Sequence, residues 1–165
     1  EVTVVVGQEA VALATGQIGV VRLTPSDPPA VPEALRAIHA ADYLVLGPGS
    51  WYSSVIPHLL VPELLEAIGT SRARRILALN LVPTDDETPA YTASRHIEVL
   101  AEHAPQLRFD VVVADPSFSR DDPHLSTFVE SLGAQLVVAP VRMRDGSPRH
   151  DPYLLAAVYA GIMGL

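Results

Sequence analysis

The chain has 165 residues, of which 48% are hydrophobic and 18% charged, with a net charge of −8 and no cysteine. That composition excludes a disordered chain and suits a single domain with a sizeable core. The acidic balance argues against nucleic acid as a main partner, and the lack of Cys excludes disulfides and thiolate metal sites.

No signal-peptide pattern opens the chain, and no apolar run reaches the length of a bilayer span. The first residue is Glu1 rather than Met, so a fragment or processed piece is expected. Val2–Val6, Val11–Ala14 and Ile18–Leu23 read as strands, the last two around a Thr15-Gly16 hairpin signal. Residues 1–24 are therefore expected to form a β-ribbon arm or edge insertion. Pro25, Pro28 and Pro29 make a rigid linker, and Val31, Leu35 and Ile38 recur at helical spacing over 30–41.

From Asp42 the pattern becomes regular. Tyr43–Leu46 reads as a buried strand, followed by the turn Gly47-Pro-Gly-Ser50-Trp-Tyr-Ser-Ser54 and a helical run from Val55 to about Thr70. Pro62 should break that run into two helices. Strands are then expected at Arg75–Leu81, Phe109–Val113 and Gln135–Ala139, with helices at Thr92–Glu102, His124–Leu132 and Pro152–Met163. Continuous β-branched strands alternating with helices predict a Rossmann-like α/β domain over 1–165. Its doubly wound, mostly parallel sheet should carry helices on both faces. Ligands of such sheets lie beyond the carboxyl ends of the strands. Four loops leave those ends: Gly47–Ser54, Val82–Tyr91, Ala114–Ser119 and Pro140–Asp151.

The chemistry-capable residues concentrate in those loops. Gly47 and Gly49 lack a Cβ, so backbone can approach a ligand closely. Unpaired N–H groups at the start of the next helix suit an anion. Pro48 belongs to the same candidate ligand-binding turn, Ser50, Ser53 and Ser54 add hydroxyls, and Ser53 or Ser54 is a candidate N-cap. The alternative is a plain strand-to-helix turn. Asn80 either donates to a phosphate or base edge, or caps a neighbouring loop. Asp85, Asp86 and Glu87 either hold Mg²⁺ through oxygen ligands or form a solvated acidic loop. Tyr91 and Thr92 are placed to stack on or hydrogen-bond a ring. Arg149 offers a planar fork to phosphate oxygens, or else pairs locally with Asp151. His150 is a candidate acid or base, and Asp151 before Pro152 reads as an N-cap. The scattered His58, His96, His103 and His124 read as surface residues, and no spacing demands a zinc site.

The run Gly47-Pro-Gly-Ser-Trp-Tyr-Ser-Ser-Val-Ile-Pro-His-Leu-Leu-Val-Pro62 resembles the signature of the YvcK-like gluconeogenesis factor family, relatives of the CofD 2-phospho-L-lactate transferases. Supporting matches follow in the family's order: Asn80-Leu81, Glu87-Thr88, Tyr91-Thr-Ala-Ser94 with His96, and Arg149-His-Asp151. The resemblance implies a Rossmann-like fold that binds a nucleotide, a UDP-sugar or a dinucleotide of the NAD type. It implies a cytoplasmic regulatory role in carbon metabolism and cell shape, without demonstrated turnover. On that reading Gly47–Ser54 holds diphosphate, Arg149 clamps it, and Asn80, Thr88, Tyr91 and His150 complete the ligand site. Catalytic residues are not assigned. Two alternatives stay open: a Mg²⁺-dependent phospho-lactyl transferase, and an interaction module that binds no ligand. A homo-oligomer is compatible with each. The family's glycine-rich nucleotide loop is missing before Glu1, so this chain is expected to be the C-terminal part of a larger family domain. The family's Pro-Gly-Glu-Thr turn is Asp85-Asp86-Glu87-Thr88 here, and the extra acids would repel a bare phosphate.

Overall fold

A computed structural model describes residues 3–14, 18–82 and 91–165. Its centre is a four-stranded, fully parallel sheet in the order β1-β2-β3-β4. The strands are β1 (Tyr43–Leu46), β2 (Arg74–Ala78), β3 (Val111–Ala114) and β4 (Gln135–Val138). Register pairs Leu46 with Leu77, Ala78 with Val113 and Ala114 with Val138, which levels the carboxyl ends along one edge.

The helices are α1 (Gln8–Ala12), α2 (Pro32–Ala40), α3 (Ile56–Leu59), α4 (Pro62–Thr70), α5 (Ala93–His103), α6 (Pro116–Ser119), α7 (Leu125–Ser131) and α8 (Pro152–Met163). A π-helical turn, Trp51–Val55, precedes α3. The run after the glycine turn does break before Pro62, which sits at the start of α4. Strands laid side by side in sequence order, with crossovers of one hand, put their connecting helices on one face. That face carries Leu44, Leu46, Leu77, Leu79, Val112 and Leu136 into the main core, with Trp51, Ile56, Ile97, Leu100 and Val129 from the helical layer.

The other face presents Ile76, Val111 and Val113 and is covered by α8 through Val158, Tyr159, Ile162 and Met163. Burial there raises the Tyr159 hydroxyl pKa. Asp151 caps α8 by accepting from the Tyr153 and Leu154 N–H groups, with Pro152 at the first helical position, as the sequence predicts. At its far end Arg74 Nη1 donates to the Ile162 carbonyl, a cation at the negative end of the helix. Helices thus lie on both faces.

The expected N-terminal β-ribbon is not found. Residues 8–12 form α1, and the described residues of 3–14 and 18–24 contain no strand. The Thr15-Gly16 hairpin signal lies outside the described residues. An isolated two-stranded ribbon is marginal in water, and here Val4 and Val6 are 83% and 84% exposed, with no strand beside them among the described residues. Instead, Gln8 Nε2 donates to the Ser53 carbonyl, tying α1 to the π turn.

Candidate functional site

Three loops converge on a cleft of about 270 Å³ at the carboxyl ends of β1 and β2. Pro48, Gly49 and Ser50 come from the loop after β1, and Asn80, Leu81 and Val82 from the loop after β2. Pro148 and His150 come from the segment after β4.

The glycine turn is shaped by contact with β2. Gly47 has φ +73°, and a Cβ there would stand 2.5 Å from the Ala78 carbonyl oxygen. Asn80 is buried, and its side-chain amide makes two bonds to one residue. Oδ1 accepts from the Gly49 N–H and Nδ2 donates to the Gly49 carbonyl, each at 3.0 Å. Of the two sequence readings of Asn80, the structure shows the cap on a neighbouring loop. The amide holds the turn, and Gly49 N–H is spent on it. The cap of the following helical turn is Ser50, without a side-chain bond, rather than Ser53 or Ser54. Both the Ser54 and Val55 N–H groups return to the Ser50 carbonyl, at 3.0 Å each. Ser53 is buried beneath the turn, and the Ser54 carbonyl accepts from His58 Nδ1.

Behind the turn lies an aromatic cluster. Trp51 is fully buried, and its Nε1 donates to the His96 carbonyl at 2.9 Å. The His96 ring, also fully buried, meets Trp51, Tyr91 and Phe118 edge to face at 5.2–5.5 Å between centroids. Burial lowers the His96 pKa against the opposing bond to the Thr92 carbonyl, so this histidine is a neutral core residue and not the surface residue read from sequence. Tyr91 likewise turns inward. Its hydroxyl meets that of Tyr52 at 3.1 Å, and burial followed by this bond raises the Tyr52 pKa. The structure therefore places Tyr91 behind the turn and outside the cleft lining.

The segment after β4 crosses the whole carboxyl edge of the sheet. Residues 141–143 and 149–151 pair antiparallel, through Met143 N–H to Arg149 O, Asp151 N–H to Val141 O and the Arg142–His150 bridge. Asp115, 4% exposed, anchors this hairpin. It caps α6 by accepting from the Ser117 N–H and hydroxyl, and it accepts from the Val141 N–H at 2.9 Å. Burial alone would raise its pKa, but these bonds and one from the Arg142 N–H outweigh that and lower it. Asp122 is lowered on the same balance, burial being outweighed by bonds that include the Ser94 and His124 N–H groups.

A group with a depressed folded pKa stabilises above its unfolded value and loses that contribution on acidification. Asp115→Asn should therefore cost about 2–3 kcal/mol at pH 7. The gap to wild type should narrow as pH falls from roughly 4, where the carboxyl protonates in the unfolded chain, through its lower folded value. Urea unfolding at pH 7 and pH 3 measures this, and a gap that does not depend on pH would refute it.

His150 reaches the cleft from this hairpin. Burial lowers its pKa, partly offset by a hydrogen bond to the Leu79 carbonyl and by the Asp115 charge, while Arg142 lowers it further. Arg149 sits between two cleft-lining residues, yet its side chain is 72% exposed and folds onto its own hairpin. It reaches Asp145 at 3.3 Å and Ser147 at 3.3 Å. The local partner is thus Asp145 rather than Asp151.

Asp85, Asp86, Glu87 and Thr88 lie outside the described residues. Among the described residues no group of three or more His, Asp or Glu could hold a metal. Asp115, the buried carboxylate at this edge, is spent on its donors. Sequence reasoning missed Asp115, Arg142 and Trp51. Only Asp115 carried a local signal, the same Asp-Pro start that marks Asp151-Pro152.

The profile of the family described as 2-phospho-L-lactate transferase CofD matches residues 1–136. A putative gluconeogenesis factor of Mycobacterium tuberculosis is 46% identical over 160 residues, covering 94% of this chain and 46% of the relative. One from Nostoc is 36% identical over 168 residues, covering 92% and 37%. The crystal structure of protein BH3568 from Bacillus halodurans superposes with a TM-score of 0.80 at 29% identity, over 98% of this chain and 55% of that one. The chain spans about half the length of the relatives it matches. On these matches, and on a parallel sheet with a glycine turn at its carboxyl edge, the chain belongs to the CofD family, alongside its gluconeogenesis factors.

Proposed function

We propose that this chain forms part of a regulatory protein of the gluconeogenesis factor type that binds a nucleotide or UDP-sugar in the cytoplasm and acts in carbon metabolism and cell-shape control. The observation that carries the reading is the cleft itself, polar at Ser50, Asn80 and His150 and built from loops of three strands. Such a crevice beyond parallel strands is where dinucleotide and nucleotide ligands sit. Ser50 offers a hydroxyl, and His150 offers an imidazole held by Leu79. Arg149 would exchange Asp145 for the ligand's phosphate. The test is calorimetry with UDP-N-acetylglucosamine on the full-length protein and on Arg149→Ala. Arg149→Ala should bind about tenfold more weakly, the loss of one charge-assisted hydrogen bond. Equal affinity removes Arg149 from the site, and no binding of UDP-sugar, UDP or NAD by wild type sinks the reading.

The description of the matching family favours a second reading, a phospho-lactyl-type transferase. It requires turnover that depends on Mg²⁺ and is lost in Asp85→Asn or Asp86→Asn. The acids that reading places on the metal lie outside the described residues, and the polar lining of the cleft supports the binding role.

A further inference from the structure

Among the described residues most arginines with buried or half-buried heads meet a carboxylate or a helix end. Arg75 lies 4.0 Å from Asp110, and Arg95 pairs with Glu98 and Glu102. Arg74 caps α8. Arg142 is different. It is half-buried, and among the described residues no carboxylate lies within ion-pair reach of its guanidinium. Its Nη2 makes one long bond, 3.3 Å, to the carbonyl of Leu81, a residue that lines the cleft. Its Nε, like that of Arg75, is sealed from solvent and donates to nothing, but Arg75 has Asp110 beside it.

The backbone pins Arg142 in this position. Its N–H is given to Asp115, and it is bridged to cleft-lining His150. A donor nitrogen sealed from water without an acceptor is costly, and the cost falls when negative oxygen reaches the guanidinium. The planar fork of arginine matches two phosphate oxygens. We propose that Arg142, set beside cleft-lining Leu81 and His150, is a ligand-binding residue whose guanidinium takes the phosphate or diphosphate part of the ligand. This rests on the reading of the cleft as an anion site and assigns the residue that supplies its fixed positive charge.

The experiment titrates inorganic pyrophosphate, and separately UDP-N-acetylglucosamine, into the full-length protein and its variants, each checked by thermal unfolding. Arg142→Gln should weaken both ligands by about ten- to a hundredfold, the loss of one charge-assisted contact. Arg142→Lys keeps the charge without the fork and should fall between. Arg36→Gln removes the same charge from α2, where Arg36 pairs with exposed Glu33, and should stay within about twofold of wild type. Wild-type affinity in a folded Arg142→Gln overturns the proposal. If that variant does not fold, wild-type affinity in Arg142→Lys overturns it. Pyrophosphate binding that is lost in Arg142→Gln, with no UDP-sugar binding by wild type, upholds Arg142 and sinks the nucleotide-sugar reading. Binding of neither ligand by wild type sinks both.

Discussion

Gly47→Ala should destabilise the protein by about 3 kcal/mol or more, the largest effect expected of any single methyl in the chain. Two costs add. A residue with a Cβ pays about 1–2 kcal/mol to sit at a left-handed φ such as +73°. The new methyl would also lie 2.5 Å from the Ala78 carbonyl oxygen, closer than carbon and oxygen tolerate, and the obstacle is backbone at the end of β2. Relief requires the ends of β1 and β2 to part, which is where the cleft opens. Affinity and stability should therefore fall together. The control is Gly69→Ala inside α4, where nothing lies within 4 Å of the added methyl. That change should stabilise by about 0.5–1 kcal/mol, as helix propensity dictates. Urea unfolding of the pair decides the matter, and a Gly47→Ala cost below that of an ordinary surface substitution would show that the approach is not tight.

Trp51→Ala should cost about 3–5 kcal/mol, in line with removing a fully buried large aromatic side chain. The loss has three parts: buried area, the edge-to-face contact with His96, and the indole donation to the His96 carbonyl. Trp51→Phe keeps most of the area but drops the hydrogen bond, and should cost about 1–2 kcal/mol. Because the chain has one tryptophan, unfolding must be followed by circular dichroism rather than fluorescence. A Trp51→Phe variant as unstable as Trp51→Ala would mean that the indole N–H, and not packing, holds the turn. Either change frees Ser50, the neighbouring cleft residue, so ligand affinity should drop with stability.

Much of this arrangement was legible because it is local. The strand Tyr43–Leu46 is a short run of apolar residues before a glycine, and the structure ends β1 at the same residue. The last helix carries its own start signal, Asp151-Pro152, and begins there. The parallel sheet followed from strand–helix alternation. Failures came where a partner far along the chain decides. The valines of residues 2–6 have strand propensity, but no neighbouring strand pairs with the described ones. His96 sits in the first turns of a helix that looks exposed in sequence, yet Trp51, Tyr91 and Phe118 close over it. Asn80 was ambiguous because its amide suits either a ligand or a peptide group, and only the position of Gly49 chooses. Arg142 gave no signal at all. Its significance arises from the path of the last hairpin across four strands, which no short-range pattern encodes.

That hairpin has a temporal consequence. The cleft opens beside β1, made before the other three strands of this sheet, but two of its walls, Pro148 and His150, follow β4, made after them. Synthesis runs at roughly 5–20 residues per second with earlier parts folding first, so the sheet can begin to assemble on the ribosome while its pocket stays open on one side. Capacity to hold a ligand would then mature late and abruptly, and a small molecule added during translation would reward finished chains over nascent ones.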